Sequence, residues 1–129
     1  MSKSEDYGLQ IFITHGPESP SKAILGFATA LSAAASDTAV VVFFTLTGAK
    51  WVDPEVGDHK PEPNFNSSEE YFEALEDLDV TFEGCTSCVE NHCPQLQDAD
   101  GEWQLREGVI FNGLSTATIR ALHIPTLIF

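Results

Sequence analysis

Five short apolar runs alternate with segments of helical periodicity along this chain. The run 39–46 is β-branched and aromatic, with no alternation of polar side chains, which predicts a central strand buried on both faces. Residues 19–35 instead repeat apolar side chains at helical spacing, and Ser19 followed by Pro20 is typical of a helix start. The predicted strands are 9–14, 39–46, 79–83, 108–111 and 126–129, and the predicted helices are 19–35, 68–78, 86–92 and 114–123.

The order of these elements, βαβαβαβαβ, predicts the fold class. It favours one α/β domain over residues 1–129, with a five-stranded, mainly parallel sheet and helices on both faces. A chain of 129 residues buries enough surface to need no disulfide scaffold. On the last helix, Ile119 and Leu122 are expected to form the buried stripe, with Thr118 on its flank. The proline-containing segment 47–67 is expected to form a loop or lid.

Charge is concentrated in one part of the chain. Residues 53–107 hold 16 of the 20 acidic residues and two of the six basic ones, and so account for the whole net charge of −14. Such a field disfavours nucleic acid and anionic membranes and favours a basic protein partner, or else forms a solvated face that keeps the protein soluble. No apolar run approaches the length of a membrane span, and residues 1–7 do not resemble a targeting segment. We therefore expect a cytoplasmic protein.

Candidate chemistry lies in three cysteines within nine residues: Cys85, Cys88 and Cys93. An odd, clustered set of thiols is typical of a reducing compartment rather than of a secreted disulfide framework. Cys85 ends a predicted strand where a helix begins, at the sheet edge where α/β proteins place their binding crevices. Free amides there would stabilise a thiolate, whereas Glu83 and Glu90 would favour the neutral thiol.

The sequence leaves open which residues assist Cys85. Cys85 and Cys88 have C-x-x-C spacing, which puts both on one helix face and permits a dithiol or disulfide. Cys93 would lie about 12 Å from Cys85 on a continuous helix, too far for a disulfide. The cluster is interpreted as a nucleophilic cysteine with helpers, as inert packed thiols, or as a metal site. The metal ligands would be Cys85, Cys88, His92 and Cys93, with His59 as an outside candidate.

No Gly-rich phosphate loop is present, so no nucleotide cofactor is expected. A series of motifs spans nearly the whole chain: the strand Ile11 to Thr14, the turn Gly16-Pro17-Glu18-Ser19-Pro20, the Ala-rich helix 22–35, the buried strand 40–48 ending in Thr-x-x-Gly, the turn Cys85-Thr86-Ser87-Cys88, and the final element from Gly108-Val109 through Gly113-Leu114 to Phe129. The order and spacing of these motifs resemble those of the DsrE/DsrF-like family.

The resemblance implies a sulfurtransferase or sulfur-relay protein. The cysteine that corresponds to Cys85 accepts sulfane sulfur, as persulfide or thiosulfonate, and passes it to the cysteine of a carrier protein. Some members carry a second cysteine eight positions later, which corresponds to Cys93, whereas Cys88 stands where relatives often have serine. The resemblance also implies a homo-oligomer, a trimer or hexamer. A metal-binding or redox-sensing thiol module, and a non-catalytic subunit of a sulfur-relay oligomer, remain the alternatives.

Overall fold

A computed structural model describes residues 6–129, so the first five residues of the predicted domain lie outside the described part. Five strands form one sheet in the order β4-β3-β2-β1-β5, and every pairing is parallel. This confirms the predicted α/β class with helices on both faces. The strands are β1 (Leu9–Ile13), β2 (Val40–Phe44), β3 (Thr81–Cys85), β4 (Val109–Asn112) and β5 (Thr126–Ile128), and the helices are α1 (Pro20–Ala35), α2 (Ser68–Asp77), α3 (Thr86–His92) and α4 (Leu114–Ala121), with 3₁₀ helices at Leu46–Val52 and Pro94–Leu96.

The larger core lies between the sheet and helices α1 and α2, on what we call the first face. All five residues of β2 are buried, as its uninterrupted apolar sequence predicts. Phe27 of α1 is fully buried and packs against several aromatic rings, and a buried side chain of this size contributes roughly 1.5–3 kcal/mol. The rings around it are Phe44, Trp51, Tyr71 and Phe72.

Helix α4 covers the opposite side of the sheet, the second face. The apolar cluster there is small and consists of Phe43, Cys85 and Ala117. Beside it lies a buried polar network in which Arg120 of α4 donates to both carboxylate oxygens of Glu83, at 2.9 and 3.0 Å. The network fastens α4 to three strands, because Gln10 of β1 and Asn112 of β4 join it through the contacts Arg120 Nη1 to Gln10 Oε1 (2.8 Å) and Asn112 Nδ2 to Glu83 Oε2 (3.0 Å).

The predicted buried stripe of α4 is wrong. Ile119 and Leu122 are 60% and 76% exposed, and the buried side chains of α4 are Ala117 and Arg120. The reason is electrostatic, since Glu83 points to the second face and would be a buried unpaired charge without Arg120. The ion pair therefore sets the rotation of α4, and the apolar side chains turn outward.

The segment 47–67 is more ordered than the predicted loop or lid. Its first part belongs to the 3₁₀ helix Leu46–Val52, whose Trp51 is fully buried and donates its indole N–H to the carbonyl oxygen of His15 at 2.8 Å. Its last residue, Ser67, caps α2 in a reciprocal capping box with Glu70. The 3₁₀ helix lies beside α3, which brings the end of β2 next to the cysteine cluster.

Candidate active site

Cys85 is the last residue of β3, at the carboxyl edge of the sheet, and it is followed directly by α3. Its side chain points to the second face and is only 3% exposed, in the small cluster with Phe43 and Ala117. This is the position that the sequence predicts for a reactive cysteine. The low exposure means that only a small sulfur species, or a partner that shifts α3, can reach the thiol.

Polar donors surround the Cys85 thiol. Burial raises the pKa of this thiol, but its hydrogen-bonding contacts outweigh burial and lower the pKa below its ordinary value. Among these contacts, the backbone amide of Cys88 lowers the pKa of Cys85 most. Cys85 is the N-cap residue of α3, but its side chain forms no capping hydrogen bond of regular geometry. The thiolate is therefore formed more readily here than at an ordinary cysteine. The remaining contacts, in order of effect, are the Ser87 hydroxyl (Oγ 3.7 Å from Sγ), the Cys88 thiol and the Thr45 hydroxyl.

Cys88 is the outermost of the three thiols, being partly exposed where Cys85 and Cys93 are buried. The backbone N–H of Leu46 donates to Cys88 Sγ at 3.1 Å, and the Thr45 hydroxyl lies 3.4 Å from the same sulfur. Leu46 has φ of 53°, a left-handed conformation that is unfavourable for leucine. The strained residue thus aims an amide at a cysteine sulfur 42 positions away in the chain.

Cys93 lies apart from the other two thiols. It ends α3, packs in the first-face core, and donates its thiol to the carbonyl oxygen of Ala49 at 3.7 Å. Burial and the nearby Asp53 carboxylate raise the pKa of Cys93, and Lys50 opposes them only weakly. The structure therefore brings Cys85 and Cys88 together at one site and places Cys93 on the opposite face of the sheet as a neutral thiol.

The four candidate metal ligands are not brought to a common point. Within residues 6–129 no group of three or more His, Cys, Asp or Glu side chains is arranged to hold a metal ion. The separation of Cys93 from Cys85 and Cys88 accounts for this. His59, the outside candidate, packs edge-on against Trp51, with ring centroids 5.5 Å apart.

Across the same described residues, no helix is long and apolar enough to cross a membrane.

Three residues at the site were not identified from the sequence as part of it: Thr45, Leu46 and Ser87. Thr45 begins the Thr-x-x-Gly motif that closes the β2 region, so the motif itself is the signal that could have indicated it. Leu46 acts through its backbone N–H, which any residue except proline provides, so no side-chain pattern identifies it. The polar network of Glu83 and Arg120 lies on the same face as Cys85. The sequence pattern did not indicate that these two residues meet, because they are 37 positions apart.

Fold and site together define a small α/β protein with a buried thiol of lowered pKa and a second, outer thiol at the carboxyl edge of a parallel sheet. The sequence model of one family matches residues 9–122, which is most of the chain. The chain belongs to the DsrE/DsrF-like family. Members of this family are associated with sulfur relay in general. No functionally curated protein matches the chain in sequence.

Solved structures share the fold at low sequence identity. The YchN protein from E. coli is 15% identical, with a TM-score of 0.73, and the match covers 95% of this chain and 99% of YchN. BT1422 from Bacteroides thetaiotaomicron, described as a conserved protein of unknown function, is 14% identical with a TM-score of 0.59, and both chains are covered completely. At these identities the likeness concerns the fold.

Proposed function

We propose that this protein is a cytoplasmic sulfurtransferase of the sulfur-relay type, which accepts sulfane sulfur on Cys85 and passes it to the thiol of a carrier protein. The observation that carries the proposal is the set of polar groups around Cys85, which lowers the pKa of this thiol in a nearly enclosed position. A thiolate is the form that attacks sulfane sulfur, and the same donors stabilise the terminal sulfur of a persulfide or the oxygens of a thiosulfonate. Membership of the DsrE/DsrF-like family supports this chemistry.

Sulfur loading tests the proposal directly. Wild-type protein incubated with tetrathionate, thiosulfate or inorganic polysulfide should gain sulfur on Cys85, and Cys85→Ser should lose at least about 99% of that loading because a serine hydroxyl is not ionised near neutral pH. Intact-mass and peptide mass spectrometry measure the adduct. Loading should begin at a pH below that at which an ordinary thiol ionises, since the Cys85 pKa is lowered.

Cys93→Ser is the matched control for loading. Cys93 is buried like Cys85, but its pKa is raised and it lies in the first-face core. The control should load Cys85 as the wild type does. Equal loading of Cys85→Ser and wild type, or loading confined to Cys93, would show that the proposed function is wrong.

The acidic charge supports a carrier protein with a basic surface. The segment 53–107, which accounts for the whole net charge of −14, includes β3, Cys85 and α3. A basic partner approaching this part of the chain gains favourable long-range attraction, which salt weakens.

An exposed apolar surface on the second face supports a homo-oligomer, a trimer or hexamer. Contiguous apolar side chains on a soluble protein commonly mark an interaction surface. We propose a second copy of this chain as the partner. The exposed apolar surface surrounds α4, which packs on the second face over only a small apolar cluster. Its large exposed side chains are Ile110 of β4, Leu114, Ile119 and Leu122 in and after α4, and Ile128 of β5.

Leu122→Glu should convert the oligomer to monomers without unfolding the chain. Leu122 is 76% exposed, so a charge there is solvated in the monomer but costs desolvation energy in an interface. Sedimentation velocity measures the mass. The matched control is Leu78→Glu, because Leu78 and Leu122 are both the exposed residues that end a helix, α2 and α4 respectively. A wild-type monomer, or an oligomer equally sensitive to Leu78→Glu, would contradict the proposed interface.

A further inference from the structure

We infer that Cys88 is the resolving thiol of Cys85: it displaces hydrosulfide from the Cys85 persulfide and closes a Cys85–Cys88 disulfide. The inference rests on the proposed function, since it starts from a persulfide on Cys85. It gives the protein a second outcome besides transfer to a carrier, namely reductive release of the sulfane sulfur as sulfide.

The geometry around the two sulfurs supports this role for Cys88. The Cys88 thiol and amide both contact the Cys85 thiol, and the Thr45 hydroxyl interacts with both cysteines. Cys85 belongs to the second-face cluster and Cys88 packs against it, and neither cysteine is in a disulfide. The two sulfurs therefore belong to one site, one helical turn apart at the start of α3.

The Leu46 amide gives Cys88 a fixed hydrogen-bond donor of its own. Its N–H lies 3.1 Å from Cys88 Sγ, in the left-handed turn that follows β2. A backbone donor at that distance stabilises developing negative charge on the sulfur. Cys88 is also the partly exposed member of the pair, so hydrosulfide expelled between the two residues has a short path to solvent.

Cys93 lacks these properties. Its thiol donates to the Ala49 carbonyl oxygen and packs in the first-face core, across the sheet from Cys85. The intervening helix α3 is continuous from Thr86 to His92, which separates its two ends by about 10 Å. Direct attack by Cys93 on Cys85 would require α3 to unfold, whereas attack by Cys88 leaves α3 in place.

The step balances without any further reactant. The Cys88 thiolate attacks Sγ of Cys85, a Sγ–Sγ bond forms, and the bond between Sγ of Cys85 and the outer sulfur breaks. The electron pair of the broken bond leaves with the outer sulfur, which takes up the proton that Cys88 gave up and departs as hydrosulfide. The sulfane sulfur is reduced by two electrons, and the two cysteine sulfurs are oxidised to the disulfide.

A loading-and-chase experiment tests the inference. Reduced wild type, Cys88→Ser, Cys88→Ala and Cys93→Ser are treated anaerobically with sodium tetrasulfide, desalted, and followed without reductant by mass spectrometry and sulfide determination. Wild type and Cys93→Ser should lose the added sulfur, release an equal amount of sulfide and form a disulfide that maps to Cys85 and Cys88. Both Cys88 variants should keep the adduct on Cys85 and release sulfide at least about tenfold more slowly.

The outcomes separate the inference from the proposed function. If the wild type keeps its Cys85 adduct as long as the Cys88 variants do, or if the disulfide maps to Cys93, the inference is wrong and the sulfur-accepting role of Cys85 stands. If no variant and no wild-type sample takes sulfur on Cys85, both are overturned. The alanine variant guards against an effect of the serine hydroxyl, and circular dichroism shows that each variant is folded.

Discussion

Glu83→Gln should lower the free energy of unfolding by about 3–5 kcal/mol, because it leaves the Arg120 guanidinium as an uncompensated buried charge. Both carboxylate oxygens of Glu83 accept from Arg120, and one of them also accepts from Asn112. Whichever position the glutamine NH₂ occupies, it faces a donor instead of an acceptor. The ion pair is almost completely enclosed, with side-chain exposures of 4% for Arg120 and 3% for Glu83.

The chain offers a matched control in a second bidentate ion pair. Arg106 donates to both carboxylate oxygens of Glu69 at 3.1 and 2.7 Å, but the Glu69 side chain is 41% exposed. Glu69→Gln should therefore cost less than about 1 kcal/mol, because a partly exposed ion pair contributes little and water can replace the Glu69 carboxylate beside Arg106, whose side chain is itself 14% exposed. Arg106 also keeps its position over the Phe72 ring, 3.8 Å from the centroid.

Urea denaturation of both variants measures the difference. The double variant Glu83→Leu with Arg120→Met should regain most of the stability lost in Glu83→Gln, because apolar side chains of similar volume remove both buried charges together. A Glu83→Gln variant no less stable than Glu69→Gln would mean that the buried network does not hold α4 to the sheet.

Gly48→Ala should lower the free energy of unfolding by about 3 kcal/mol through overpacking. A Cβ at this position would overlap the carbonyl oxygen of Ile13 and lie 2.7 Å from its carbonyl carbon. These are backbone atoms at the end of β1, which is hydrogen-bonded to β2 on one side and β5 on the other, so they cannot move at low cost. The 3₁₀ helix Leu46–Val52 must shift instead, and the Leu46 amide moves away from Cys88 with it.

Gly113→Ala is the control for Gly48→Ala. A Cβ on Gly113 meets nothing closer than the Ser115 hydroxyl at 3.7 Å, and its φ of −91° suits alanine. Its cost should stay below about 1 kcal/mol, the loss of a favourable residue at the start of α4. Thermal and urea unfolding of the two alanine variants should differ accordingly, and equal stability would contradict the close packing of Gly48 on β1.

Much of the fold follows from local sequence pattern. The unbroken apolar run of β2 indicates a strand buried on both faces, and the strand–helix alternation indicates a parallel sheet, because both features depend on residues that are close together in the sequence. The rotation of α4 does not follow from such a pattern. It depends on Glu83 and Arg120, which are 37 residues apart and meet only after the sheet has formed.

The candidate site, like the fold, could be predicted only in part. The position of Cys85 could be predicted, since the end of a strand and the start of a helix are visible in the sequence. The sequence could not show whether Cys88 or Cys93 assists Cys85. The contacts of Cys88 with Thr45 and Leu46 join the end of β2 to α3 across more than 40 residues. The C-x-x-C spacing permits the pair, and tertiary structure separates Cys93 from it.

The strand order has a consequence for how the protein is made. β1 lies between β2 and β5, and its second neighbour arrives late, since Gln10 and Thr126 are partners 116 residues apart. Until the ribosome has delivered β5, one edge of the apolar strand β1 remains unpaired and able to recruit strands from other chains. Synthesis of this protein therefore passes through a stage in which β1 can aggregate with other chains. A chaperone that binds extended apolar segments would protect β1 during that stage.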